Sequence, residues 1–135
     1  MSHLNSGLSW LLVSSLRPRV LLVDDSAEML DVFERILSPS CDVVGQITDA
    51  RMLPDVVTTL QVEVAVLDLY MSTGNGLELC RSLKDAFPNL KIVIVTASQD
   101  PHLKAEAVAR GASSLVDKVR MIDDLERAVH KAFAG

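Results

Sequence analysis

The sequence has 135 residues, 49% of them apolar and 23% charged, which suits one domain with a buried core and is too short for two. Aromatics make up only 4%, so the core has to be built from Val, Leu, Ile and Ala. Thirteen basic residues against 18 acidic ones give a net charge of −5, which excludes the basic stripe of a direct nucleic-acid binder. Cys41 and Cys80 match no zinc or redox spacing, and a reducing, cytoplasmic setting is expected.

Residues 1–18 differ from the rest and are expected to form an N-terminal extension, either a loose tail or a short helical arm, ahead of a domain over 19–135. Leu8, Leu11, Leu12 and Leu16 fall on one helical face, as an arm docking on a partner subunit would have them. The apolar run Leu8 to Val13 is far shorter than the ~20 residues of a membrane span. No basic segment precedes it, so neither a secretory signal nor a membrane partner is expected.

Short apolar runs then alternate with helical patterns. Val20–Val23 predicts a first strand that ends in Asp24-Asp25. A helix capped by Ser26 follows, with Met29, Phe33, Ile36 and Leu37 on its inner face. Asp42–Ile47 is a second, more polar strand. Leu53, Val56, Val57 and Leu60 mark the next helix, with Pro54 in its first turn. Val62–Leu67 predicts a third strand, stopping at Asp68. A helix bearing Cys80, Leu83 and Phe87 ends at Pro88, and Cys80 is expected in the core.

Ile92–Val95 is the fourth strand, ending at Thr96. Asp100-Pro101 opens a fourth helix that Gly111 closes. Ser114–Val116 is a weak fifth strand running up to Lys118. Ile122, Leu125, Val129, Ala132 and Phe133 line the last helix, with Asp123 and Asp124 in its first turn. Near-continuous Val/Ile/Leu runs of this kind fit strands covered on both faces. The alternation predicts an α/β, doubly wound, five-stranded parallel sheet flanked by five helices.

In such folds function gathers at the carboxyl ends of the strands. Those ends carry Asp24, Asp25, Asp68, Thr96 and Lys118. Three carboxylates held close repel one another, and a cation relieves the repulsion. Oxygen-only ligands without His or Cys favour a hard ion such as Mg²⁺, which bridges to phosphate. A divalent metal, an ammonium and a hydroxyl around a remaining carboxylate make a phosphoryl-transfer site in which that carboxylate is the nucleophile. The spacing alone does not say which aspartate attacks.

Four segments together resemble the response-regulator receiver domain of two-component signalling, with its flavodoxin-like, chemotaxis-regulator-like fold. Val20-Leu21-Leu22-Val23-Asp24-Asp25 resembles the acidic opening. Val66-Leu67-Asp68, followed by Gly76-Leu77-Glu78-Leu79, resembles the phosphoacceptor segment. Ile92 to Ala97 resembles the strand of the switch hydroxyl, and Gly111-Ala112-Ser113 leading to Lys118 the final strand with its lysine.

The resemblance implies that Asp68 takes a phosphoryl group from a phosphohistidine on a sensor histidine kinase or phosphotransfer protein. It implies Mg²⁺ held by Asp25, Asp68 and the backbone carbonyl of Tyr70, with Asp24 nearby. Lys118 and the Thr96 hydroxyl would contact the phosphoryl oxygens, assisted by backbone N–H groups near Met71 and Ala97. Such a protein is a phosphoacceptor that assists its own phosphorylation and dephosphorylation rather than a dedicated enzyme. The resemblance also suggests a homodimer through the last two helices, whose face includes Leu103, Val108, Ala109, Ile122 and Leu125.

Four positions depart from the family pattern. Ser72 replaces a usual proline and is expected to loosen the loop after Asp68. Val119 follows Lys118 in place of proline, which disfavours a cis bond there. Leu115 replaces the usual Tyr or Phe, which weakens the switch that such a ring provides. Tyr70 is large for its position, and its ring is expected to shield an acyl phosphate from water. A pseudo-receiver that is never phosphorylated, or the receiver of a longer DNA-binding regulator, are the competing readings.

Overall fold

The computed structural model describes residues 17–135, so the tail-or-arm expectation for the N-terminal extension falls almost wholly outside the described residues. Five parallel strands form one sheet: β1 (Arg19–Val23), β2 (Asp42–Ile47), β3 (Val64–Asp68), β4 (Lys91–Thr96) and β5 (Ser114–Asp117). Their spatial order is β2-β1-β3-β4-β5. The helices are α1 (Ala27–Leu37), α2 (Leu53–Leu60), α3 (Gly76–Ala86), α4 (Leu103–Ala109) and α5 (Met121–Ala134). The doubly wound fold expected from the alternation is the fold observed.

The period-two alternation of β side chains splits the core into two layers. Leu21, Val23, Ala65, Leu67, Ile92 and Ile94 point to one face and pack under α2, α3 and α4. Val20, Leu22, Val64, Val66, Val93 and Val95 point to the other and pack under α1 and α5, with Phe33, Leu37, Leu125 and Val129. Central strands thus carry apolar side chains on both faces, while β2, paired only to β1, holds only exposed and half-buried positions.

Ser26 caps α1, its hydroxyl accepting the Met29 N–H at 3.2 Å, and Pro54 sits in the first turn of α2 as expected. Both thiols are buried: Cys80 lies in the α3 layer, and Cys41 against α5.

Three expectations need correction. The third strand begins at Val64, two residues later than the apolar run, because Val62 and Glu63 form the turn out of α2. Helix α4 begins at Leu103 rather than at Asp100-Pro101; Asp100 instead accepts the His102 N–H at 2.9 Å, closing a turn ahead of the helix. Ile122 does not line the core: it is 77% exposed, whereas Leu125, Val129 and Ala132 are buried. The face drawn from α4 and α5 divides accordingly, with Leu103 and Leu125 in the core and Val108, Ala109 and Ile122 on the surface.

Candidate functional site

Strand register determines which side chains meet. Val23 pairs with Leu67, Asp68 with Val95, and Thr96 with Asp117. Asp24, Asp68, Thr96 and Lys118 therefore each stand at, or one step past, the same edge of neighbouring strands. At that edge the apolar runs stop, and the first polar residues are held by the sheet without being solvated by it. Asp24 is 2% exposed, Asp68 8% and Thr96 1%; among the described residues these are the buried polar side chains.

Lys118 ties the group together. Its Nζ lies 3.2 Å from Asp68 Oδ1 and 3.4 Å from Asp24 Oδ2. One ammonium thus serves two buried carboxylates, and a negative charge is left over. Burial first, and the Asp24 charge second, push the Asp68 carboxyl above the usual carboxylate range, while Lys118 and the Tyr70 backbone N–H pull against them. The other Asp24 oxygen accepts the Ser26 N–H at 2.8 Å, so this carboxylate also steadies the entry to α1.

The loop after Asp68 is tied at several points, although Ser72 was expected to loosen it. Tyr70–Met71 pairs antiparallel with Gly74–Asn75. Thr73 Oγ1 accepts the Ala50 N–H at 3.0 Å, and the Ser72 N–H donates to Asp25 Oδ2 at 2.7 Å. Asp25 is exposed and engaged with that loop, and no ion pair joins it to Lys118 among the described residues. Among the described residues no three His, Cys, Asp or Glu side chains are already gathered as a metal cage.

The donor set nonetheless fits a hard divalent cation. It consists of carboxylate and carbonyl oxygens, and two buried carboxylates share a single positive charge.

Thr96 Oγ1 accepts the Ser98 N–H at 3.0 Å, which leaves its proton free to donate. Ala97 follows at the exposed lip, and half-buried Met71 lies in the loop opposite. The Tyr70 side chain is 60% exposed, so most of the ring faces solvent at the rim. Leu115 is half-buried against the α2–α4 layer, and no cis peptide bond occurs among the described residues.

Two features of the site were not legible as chemistry. Asn75 caps α3 by accepting the Leu77 N–H at 2.8 Å. Gly76 packs directly on the backbone of the phosphoacceptor segment: a Cβ there would lie 2.8 Å from Leu69 Cα and 2.9 Å from the Asp68 carbonyl oxygen. The spacing from Asp68 marked Gly76, but the reason for a glycine appears only in three dimensions.

Known proteins resemble this chain in sequence and in fold. The chain is 34% identical over 119 residues to the DNA-binding transcriptional activator DevR/DosR of Mycobacterium tuberculosis, covering 87% of this chain and 55% of that protein. It is 28% identical over 101 residues to the chemotaxis protein CheY of Thermotoga maritima, covering 74% and 84%. It thus spans about half the length of the first of these and most of the second. Among solved structures, the signal receiver domain of the response regulator NarL from Mycobacterium tuberculosis superposes with a TM-score of 0.81 at 22% identity, covering 88% of this chain and 98% of that one, a likeness of fold. A LuxR-family two-component response regulator from Aurantimonas superposes at 0.82 with 26% identity, covering 88% and 86%. The response regulator receiver domain family matches residues 20–130, and the chain belongs to that family.

Proposed function

We propose that this receiver domain accepts a phosphoryl group on Asp68 from a phosphohistidine of a sensor histidine kinase or phosphotransfer protein, in a Mg²⁺-dependent reaction in the cytoplasm. The observation that carries this reading is Lys118 Nζ held between two buried carboxylates at the carboxyl edge of the sheet. A pseudo-receiver has no need to retain that costly arrangement.

In the transfer, an Asp68 Oδ attacks phosphorus and the P–N bond of the donor breaks, its electron pair leaving with the imidazole. The protein contributes positioning and charge neutralisation. Asp68 is fixed by its strand and by the glycine contact behind it. Lys118, already within hydrogen-bond distance of Asp68, is placed to follow the charge onto a phosphoryl oxygen. The Thr96 hydroxyl donates to another, and the backbone N–H groups of Met71 and Ala97 flank the site. Asp24, Asp25, Asp68 and the Tyr70 carbonyl would hold Mg²⁺, which supplies neutralisation of the phosphoryl oxygens. Hydrolysis reverses the labelling: water attacks phosphorus, the Oδ–P bond breaks and the carboxylate is restored. The domain is thus a phosphoacceptor that assists its own turnover.

Incubation with a small phosphodonor and Mg²⁺, read by intact mass, tests this reading. One added phosphoryl group that is absent in Asp68→Asn is the expected result; an unlabelled wild-type chain overturns it. The output is a change of protein contacts, for which exposed Val108 and Ile122 on α4 and α5 offer a homodimer face. A second reading follows from coverage. Since the chain matches 55% of a DNA-binding activator, the same switch is suited to controlling a DNA-binding module carried by further chain.

A further inference from the structure

Thr96 and Lys118 approach the phosphoacceptor from neighbouring strands, and the ladder between those strands ends with the Thr96–Asp117 pair. Past that pair each segment leaves the sheet. One becomes the loop from Ala97 to His102 that leads to α4, the other a single 3₁₀ turn over Lys118–Arg120. The spacing of the Thr96 hydroxyl and the Lys118 ammonium therefore depends on what joins these two segments.

One carboxylate makes the join. Asp117 Oδ1 accepts the Val119 N–H at 2.9 Å, and Asp117 Oδ2 accepts an N–H from Gln99 Nε2 at 2.7 Å. The first bond clasps the backbone on either side of Lys118, and the second crosses to the loop that follows Thr96. From this two-sided engagement we infer that Asp117 and Gln99 are positioning residues for phosphoryl transfer, setting Lys118 against the Thr96 hydroxyl and the Ala97 N–H. The inference rests on Asp68 being the phosphoacceptor.

The departures from the family pattern fit this role. Val119 stands where a proline is usual, and its N–H is the donor that a proline would lack. A hydrogen bond thus holds the turn that a ring would otherwise stiffen. Leu115, in place of the usual aromatic, has no polar side-chain atom with which to link the strands. The loop itself carries the hold back to Thr96. Thr96 Oγ1 accepts the Ser98 N–H at 3.0 Å, Ser98 Oγ the Asp100 N–H at 3.3 Å, and Asp100 Oδ1 the His102 N–H at 2.9 Å. Alternate side chains each close a turn on the backbone ahead, and Gln99 lies between them. The Gln99 bond foremost, and then the Val119 N–H, hold the Asp117 carboxyl below the usual carboxylate range, so it remains an acceptor at neutral pH.

Gln99 is exposed and Asp117 half-buried, so losing their bond costs the fold little. Transfer is far more sensitive, since misplacing a group by ~1 Å costs on the order of 100-fold in rate. The test is the initial rate at which acetyl phosphate and saturating Mg²⁺ label the full-length chain, read by intact mass. Gln99→Glu sets two carboxylates against each other and should slow labelling about tenfold with an unchanged melting temperature. Gln99→Ala, which removes the bond without adding repulsion, should fall between that variant and wild type. Combining Gln99→Glu with Asp117→Asn restores a donor and an acceptor: the introduced amide donates to the introduced carboxylate, and its carbonyl oxygen still accepts the Val119 N–H. This double variant should regain most of the wild-type rate. Gln99→Glu labelled as fast as wild type overturns the inference and leaves Asp68 as the phosphoacceptor. So does slowing that the double variant does not relieve, or that tracks a fall in melting temperature. A wild-type chain that takes no label overturns both readings.

Discussion

Replacing Gly76 by alanine isolates the contact behind the phosphoacceptor. Gly76 opens α3, where alanine would ordinarily help by up to ~1 kcal/mol through helix propensity. Against that stands the added methyl: 2.8 Å from Leu69 Cα, 2.9 Å from the Asp68 carbonyl oxygen and 3.1 Å from the Leu69 carbonyl oxygen. All three are backbone atoms, so no side chain can swing aside. The Gly76 N–H also donates to Leu69 O at 2.7 Å, which keeps the two segments from parting. Overpacking of this kind costs ~1–3 kcal/mol, so crowding outweighs propensity. The expected outcome is a net loss of ~1–2 kcal/mol and a melting temperature lower by roughly 3–8 °C, read by thermal circular dichroism. Because the backbone that yields is that of Asp68, phosphodonor labelling should slow by more than the unfolded fraction explains. A Gly76→Ala protein as stable as the wild type, labelled at the same rate, refutes the reasoning.

Lys118→Ala leaves Asp24 and Asp68 buried without their shared cation and should cost ~1–3 kcal/mol in metal-free buffer. Adding Asp68→Asn should recover much of that loss, and a urea-melt double-mutant cycle with no coupling would contradict the shared-cation account. Cys41 and Cys80 should resist Ellman's reagent in the folded protein and react at once in urea, since both are buried and burial pushes the Cys80 thiol up to about 11. The Asp49 carboxyl should titrate at about 2, held down by the Arg51 side chain, and return toward 3.8 in Arg51→Ala, as followed by carbon NMR. Its folded value is depressed, so its small stabilising effect is present above 3.8 and disappears as pH falls through about 2.

The strand ends made most of the site legible before any coordinates. Apolar runs that stop at Asp24, Asp68 and Thr96 put those residues at one edge once the strands are parallel. What sequence does not carry is non-local pairing: the order β2-β1-β3-β4-β5 depends on long-range contacts that no local pattern encodes. Backbone chemistry is equally silent. Asp25 is engaged by the N–H of Ser72, a donor that the proline usual at this position would lack, but the residue type does not say which acceptor that N–H finds. Ile122 misled for a different reason. It shares the helical period of Leu125 and Val129, but it lies in the first turn of α5, at the protein surface.

Arg17 has a mechanical consequence. Its guanidinium donates to Asp42 Oδ1 and to the carbonyls of Ser38, Pro39 and Cys41, fastening the lead-in of an inner strand to the turn before the outermost one. Tension arriving from upstream is therefore shared by two strands and the turn between them.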